Sequence, residues 1–99
     1  MAEVRFESKE NEPDAFNLYE DGEKIGEMIV EVKGKDMTVF HTGVDKEGKG
    51  YAKMLLGAMV DYVREHDLKV IPMCSYVHLQ FDRYPELYKD IKSANEIRF

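Results

Sequence analysis

The sequence predicts an α+β fold with a mixed sheet: an antiparallel N-terminal meander, a parallel strand–helix–strand unit, and a C-terminal helix. Three observations predict it. Apolar and polar residues alternate through several stretches of residues 3–44, as they do along half-buried strands. The pair Asp21-Gly22 separates two of these stretches, and Asp-Gly is a strong signal for a tight hairpin turn. From Gly50 onward the apolar residues recur at steps of three and four, the period of an amphipathic helix.

Taken in order, residues 3–7 (Glu-Val-Arg-Phe-Glu) read as the first strand. Lys9 to Asp14 is polar and contains Pro13, which marks a loop. Residues 15–20 and 24–32 form the two arms of the hairpin. Gly34, Lys35 and Asp36 make a second turn, and residues 37–44 (Met-Thr-Val-Phe-His-Thr-Gly-Val) a further strand. In the helix that follows, Ala52, Leu55, Leu56, Met59, Val60 and Val63 share one face. Arg64 and His66 fall in its last turn, where cations complement the helix dipole. Residues 68–74 read as a strand in which Pro72, lacking an N–H, must stop or bulge the ladder. Ser75 is a candidate cap for a second helix, Pro85 breaks it, and residues 86–92 suit a short closing helix. The unit 37–74 calls for a right-handed crossover joining parallel strands.

Composition bounds the function. At 99 residues the chain supports one compact domain, assigned to residues 1–99. Charged residues make up 34% of it and are dispersed, which describes a solvated surface rather than a disordered tail. A net charge of −6 argues against nucleic-acid binding and against an anionic membrane surface. The single cysteine, Cys74, precludes an internal disulfide and suits a reducing compartment. The N-terminal residues have no apolar core of the signal-peptide kind. No stretch approaches the roughly 20 apolar residues of a membrane span. The expectation is a soluble cytoplasmic protein.

Chemistry concentrates at Asp45-Lys46-Glu47-Gly48-Lys49-Gly50-Tyr51-Ala52, where a strand leads in and a helix leads out. A helix start leaves about four N–H groups unpaired and carries partial positive charge, which suits an anion. Glycine removes the Cβ that would hold a phosphate away. Lys46, Lys49 and Lys53 add positive charge to an acidic chain. Neither the Gly-x-x-x-x-Gly-Lys-Ser/Thr loop nor Gly-x-Gly-x-x-Gly is present. Locally, an anion site and a plain flexible connection remain equal readings.

Glu47-Gly48-Lys49-Gly50-Tyr51-Ala52 resembles the acyl-CoA pyrophosphate motif of the GNAT N-acetyltransferases, usually Gln/Arg-x-x-Gly-x-Gly/Ala, with Glu47 departing at the first position. Together with His41-Thr42-Gly43-Val44 and the run Val70 to Val77, it resembles the small stand-alone branch of that superfamily over about residues 15–90. The resemblance implies a GNAT-like sheet whose parallel strands, here 37–44 and 68–74, splay around the cofactor. It implies acetyl-CoA as acyl donor, with Thr42, Gly43 and Val44 near the pantetheine and Gly48, Lys49, Gly50, Tyr51 and Ala52 at the pyrophosphate. Pro72 independently helps to keep the strands from zipping closed.

Cys74 ends the last strand just before a helix, a place where a thiol pKa is lowered. It is either a packing residue or, as the resemblance implies, a nucleophile or acid/base beside the thioester. His41 alternates with Val39 and is either a base or a hydrogen-bonded core residue. His66 and His78 read as surface residues. Tyr76 and Tyr84 are candidate acids for the leaving thiolate or packing aromatics. One Cys and three unpaired His give no metal-ligand spacing. The leading reading is an acetyl-CoA-dependent N-acetyltransferase acting on an amine or protein acceptor, as monomer or homodimer. The alternatives are a non-catalytic acyl-CoA sensor or interaction module, and a small adaptor without ligand.

Overall fold

The computed structural model describes residues 2–95. Its elements run β1 (Ala2–Glu7), β2 (Asp14–Glu20), β3 (Glu23–Lys33), β4 (Asp36–Val44), α1 (Tyr51–Glu65), β5 (Lys69–Pro72), α2 (Ser75–Arg83) and α3 (Pro85–Tyr88). The five strands form one sheet in the order β1-β2-β3-β4-β5. The first three pairings are antiparallel and β4 pairs β5 in parallel. The meander and the strand–helix–strand unit therefore stand as expected.

Local chemistry explains the turns. Asp21 and Gly22 both take positive φ, at 51° and 82°, the signature of the hairpin turn that matches strand twist. Gly34 supplies the positive φ of the next turn, at 58°. Helix α1 then buries Leu55, Leu56, Met59, Val60 and Val63 against Phe16, Leu18, Met28, Val30, Met37 and Val39 of the sheet. Each such side chain, fully buried, stabilises the fold by about 1.5–3 kcal/mol. Tyr62 extends the packing outward, stacking on Phe6 with ring centroids 4.6 Å apart and meeting Phe16 edge-on at 5.5 Å. Arg64 ties the end of α1 to the α3 region through Asp90 and the Leu87 carbonyl, the latter at 2.7 Å.

The structure corrects four local expectations. Strand β5 stops at Pro72 rather than at residue 74. Past the proline the Met73 N–H turns back to the Ile71 carbonyl at 3.1 Å, and the Cys74 N–H reaches the Val39 carbonyl at 2.8 Å. The N-cap of α2 is Cys74, with Ser75 as the first helical residue and no side-chain cap bond. The closing helix is only Pro85–Tyr88. After it the chain lies along the outer edge of β5, where Val70 N–H bonds the Ile91 carbonyl and Ser93 N–H bonds that of Val70.

The fourth correction bears on the site. Val30 pairs Val39 but Ile29 pairs His41, so Phe40 is an extra residue in β4, a β-bulge. It inverts the alternation. Upstream, Met37 and Val39 are buried on the α1 side. Downstream, Thr42 and Val44 lie opposite the buried Met28 and Gly26. His41 falls on the other face from Val39 and is exposed, so it is not a core residue. Among the described residues no helix is long and apolar enough to cross a membrane.

Candidate functional site

Beyond the Val39–Pro72 pair the parallel strands part. Strand β4 continues to Val44, while the other chain turns into α2. The Cys74 amide still reaches Val39, and its thiol donates to Thr42 Oγ1 at 3.3 Å. Beside this opening the turn from Asp45 leads into α1, its start pinned by Asp45 N–H on the Ile25 carbonyl at 2.9 Å.

That turn needs glycine for backbone reasons. Gly48 has φ 81° and Gly50 has φ 76°, a region costly for residues with a Cβ. Gly50 is the N-cap of α1, and no side chain bonds the first-turn amides. No acidic residue stands in that first turn. A Cβ at Gly48 or Gly50 would meet nothing within 4 Å, so both face open space. The helix start thus presents unpaired N–H donors and the positive dipole end to an unobstructed surface.

The space is a cleft of about 520 Å³, a size that takes a cofactor fragment or small ligand. Thr42, Gly43 and Val44 form its strand wall, and Gly48, Gly50, Tyr51 and Ala52 its helix-start wall. Lys46, Glu47, Lys53 and Tyr76 complete it. Lys49, expected here, is exposed and does not line the cleft; the lysines on either side of it do. Tyr84 lies outside it and is 39% exposed.

Two tyrosines border the cleft in their protonated form. Tyr51, held above its ordinary pKa chiefly by burial and then by Glu20, donates its hydroxyl to Glu20 Oε2 at 3.2 Å. Burial likewise raises Tyr76, with smaller contributions from Tyr88 and Cys74. The two candidate catalytic residues stand behind the cleft rather than in its lining. Cys74 is buried behind Thr42. The His41 ring lies over Gly43, with Nε2 3.0 Å from where a Cβ on that glycine would be. Glu20 carries no sequence signal for a part in the site, being far from Tyr51 in the chain and joined to it only by the fold.

A mixed sheet opened between its parallel strands, with an uncapped helix start beside the opening, defines the class: an N-acetyltransferase scaffold of the GNAT type. The family model described as GCN5-related N-acetyl-transferase matches residues 15–91, and the chain belongs to that family. Its fold is similar to the solution structure of a GCN5-like N-acetyltransferase candidate from Staphylococcus aureus. That likeness has a TM-score of 0.67 and 28% identity, and covers 95% of this chain and 90% of the other. It is also similar to the crystal structure of a ribosomal-protein-alanine N-acetyltransferase from Brucella melitensis biovar Abortus 2308. There the TM-score is 0.60, identity is 25%, and 91% of this chain and 72% of the other are covered. No curated protein matches the chain.

Proposed function

We propose that the chain is an acetyl-CoA-dependent N-acetyltransferase that acetylates an amine acceptor. The observation that carries this reading is the uncapped, glycine-framed start of α1 opening into the cleft at the end of β4. Its fit to a pyrophosphate is physical. The first-turn amides are donors without side-chain partners, the flanking Gly48 and Gly50 present no Cβ, and Lys46 and Lys53 supply charge. Bound acetyl-CoA supplies an activated acetyl thioester.

The chain's own residues do the rest. The edge of β4 from Thr42 to Val44, freed by the parting of the strands, is available to orient an extended pantetheine arm. Tyr76, which lines the cleft with its hydroxyl raised above its ordinary pKa chiefly by burial, is placed to give a proton to a departing thiolate. The Cys74 thiol is engaged with Thr42 and buried, so we assign it to positioning that threonine, with direct transfer to the acceptor. His41 is exposed over Gly43 on the sheet face away from α1.

Calorimetry with acetyl-CoA tests the binding, and thiol release on adding amines tests the turnover. Binding in the range of about 1–100 μM is expected, and no heat at about 1 mM would overturn the reading. Binding without thiol release from any amine would convert the enzyme into a sensor. Intact mass after incubation with acetyl-CoA should be unchanged. A gain of one acetyl group that disappears in Cys74→Ala would replace direct transfer by a covalent route.

A further inference from the structure

A second cavity, of about 280 Å³, lies on the far side of the turn that ends β5. Ile71, Pro72 and Met73 form one wall, and His78 and Lys92 enter it from α2 and from the chain after α3. The turn lines this cavity and touches the wall of the first cleft through one bond. Met73 lines the second cavity, while the next residue, Cys74, backs the acyl-CoA cleft through Thr42.

His78 follows Cys74 by one helical turn, its N–H bonded to the Cys74 carbonyl at 2.9 Å. Residues four apart share a helix face. One turn further on, Asp82 Oδ2 lies 3.3 Å from His78 Nδ1. A carboxylate at Nδ1 favours the tautomer protonated there and leaves the Nε2 lone pair as a proton acceptor. Lys92 has no ion pair among the described residues and brings a positive charge to the same cavity. Asp36 stands outside the lining, its carboxylate oxygens accepting from the Ser93 hydroxyl and the Asn95 amide.

We propose that this cavity is the acceptor subsite, that it takes a small primary amine bearing an anionic group, and that His78 accepts the amine's proton. The proposal rests on the acetyltransferase reading. The anionic group, carboxylate or phosphate, meets the Lys92 ammonium. The amine gives one proton to His78 Nε2 and its nitrogen lone pair attacks the thioester carbonyl. The C–N bond forms, the C–S bond breaks, and the departing sulfur takes a proton from Tyr76 or water. The nitrogen loses its second proton to solvent as the amide forms, His78 returns its own proton there, and Tyr76 regains one. A cavity of this size suits an acceptor of amino-acid dimensions.

Two matched pairs of probes test this: O-phosphoethanolamine against ethanolamine, and glycine against glycinamide. In NMR spectra of the acetyl-CoA-bound chain, the anionic member of each pair should shift the Ile71 and Met73 methyls and the His78 imidazole. Lys92→Glu should abolish those shifts, and a response to only one pair tells phosphate from carboxylate recognition. In thiol release with the responding amine, His78→Ala should lower kcat/KM by about 100-fold and leave acetyl-CoA affinity unchanged. Three results would overturn the proposal: no shift at about 10 mM of either anionic probe, equal shifts from the uncharged partners, or a wild-type rate in His78→Ala. Loss of acetyl-CoA binding by the unaltered chain removes the enzyme reading itself. Intact acetyl-CoA binding with a silent cavity removes only this subsite.

Discussion

Substituting Gly50 by alanine and by aspartate separates backbone strain from charge at the start of α1. The residue sits at φ 76°, and a Cβ there meets nothing within 4 Å, so neither substitution carries a packing cost. Alanine should lose about 1–2 kcal/mol to left-handed strain. Aspartate tolerates that conformation better, and its carboxylate beside the helix start gains about 0.3–1 kcal/mol from the helix dipole. The aspartate variant should therefore be the more stable of the two in urea denaturation. Its CoA binding should move the opposite way. A carboxylate about 5 Å from a phosphate opposes it by about 3 kcal/mol at an effective dielectric near 20. Exposure and salt reduce this to about 2 kcal/mol, or about 30-fold in Kd. Calorimetry with CoA at fixed ionic strength reads the difference. Affinities within about threefold of each other would refute the placement of the pyrophosphate at this helix start.

Gly26→Ala tests the packing that supports the strand wall of the same cleft. The added Cβ would stand 3.1 Å from Val44 Cγ1, 3.3 Å from the Gly43 carbonyl and 3.4 Å from Leu55 Cδ1. Stability should fall by about 1–3 kcal/mol and CoA affinity with it; unchanged values of both would show that β4 yields freely. Glu7 is held below the usual carboxylate range by the Tyr19 hydroxyl first and the Asn17 amide second. A depressed folded pKa means stability present above the unfolded value, about 4.3, and lost as pH falls through the lower folded value. In Glu7→Gln the urea midpoint should fall less steeply below about pH 4.3 than in the unaltered chain, and identical slopes would contradict that role.

Local rules made much of the fold legible. The α1 stripe from Leu55 to Val63 and the Asp21-Gly22 turn depend on residues close in sequence, and both stand. Gly48 and Gly50 were readable for the same reason, since positive φ leaves a direct trace in residue choice. Pro72 announced the end of the ladder, although the strand closes two residues sooner than the pattern 68–74 predicts. The bulge at Phe40 left no such trace. Nothing in Val39-Phe40-His41 marks a bulge, because register is decided across the sheet by pairing with β3. The alternation therefore misplaces His41. Likewise Lys49 and its neighbours differ only in how the turn aims them. The cavity at His78 depends on a segment thirteen to seventeen residues further on that returns along β5. His78 does read as an exposed helical residue, and it is one; its relation to Lys92 is purely tertiary.

The extra residue at Phe40 makes β4 two strands in one. Before it, the side chains aimed at α1 are Met37 and Val39, and they close a core. After it, that same side carries Thr42 and Val44, and they line a cleft. Pairing Phe40 regularly with β3, without the bulge, would shift the phase of every later residue by one position. His41 and Gly43 would then turn toward α1, and the threonine that receives the Cys74 thiol would point away from it. The bulged pairing at one amino acid is thus what lets one continuous strand end its work as scaffold and begin its work as binding wall.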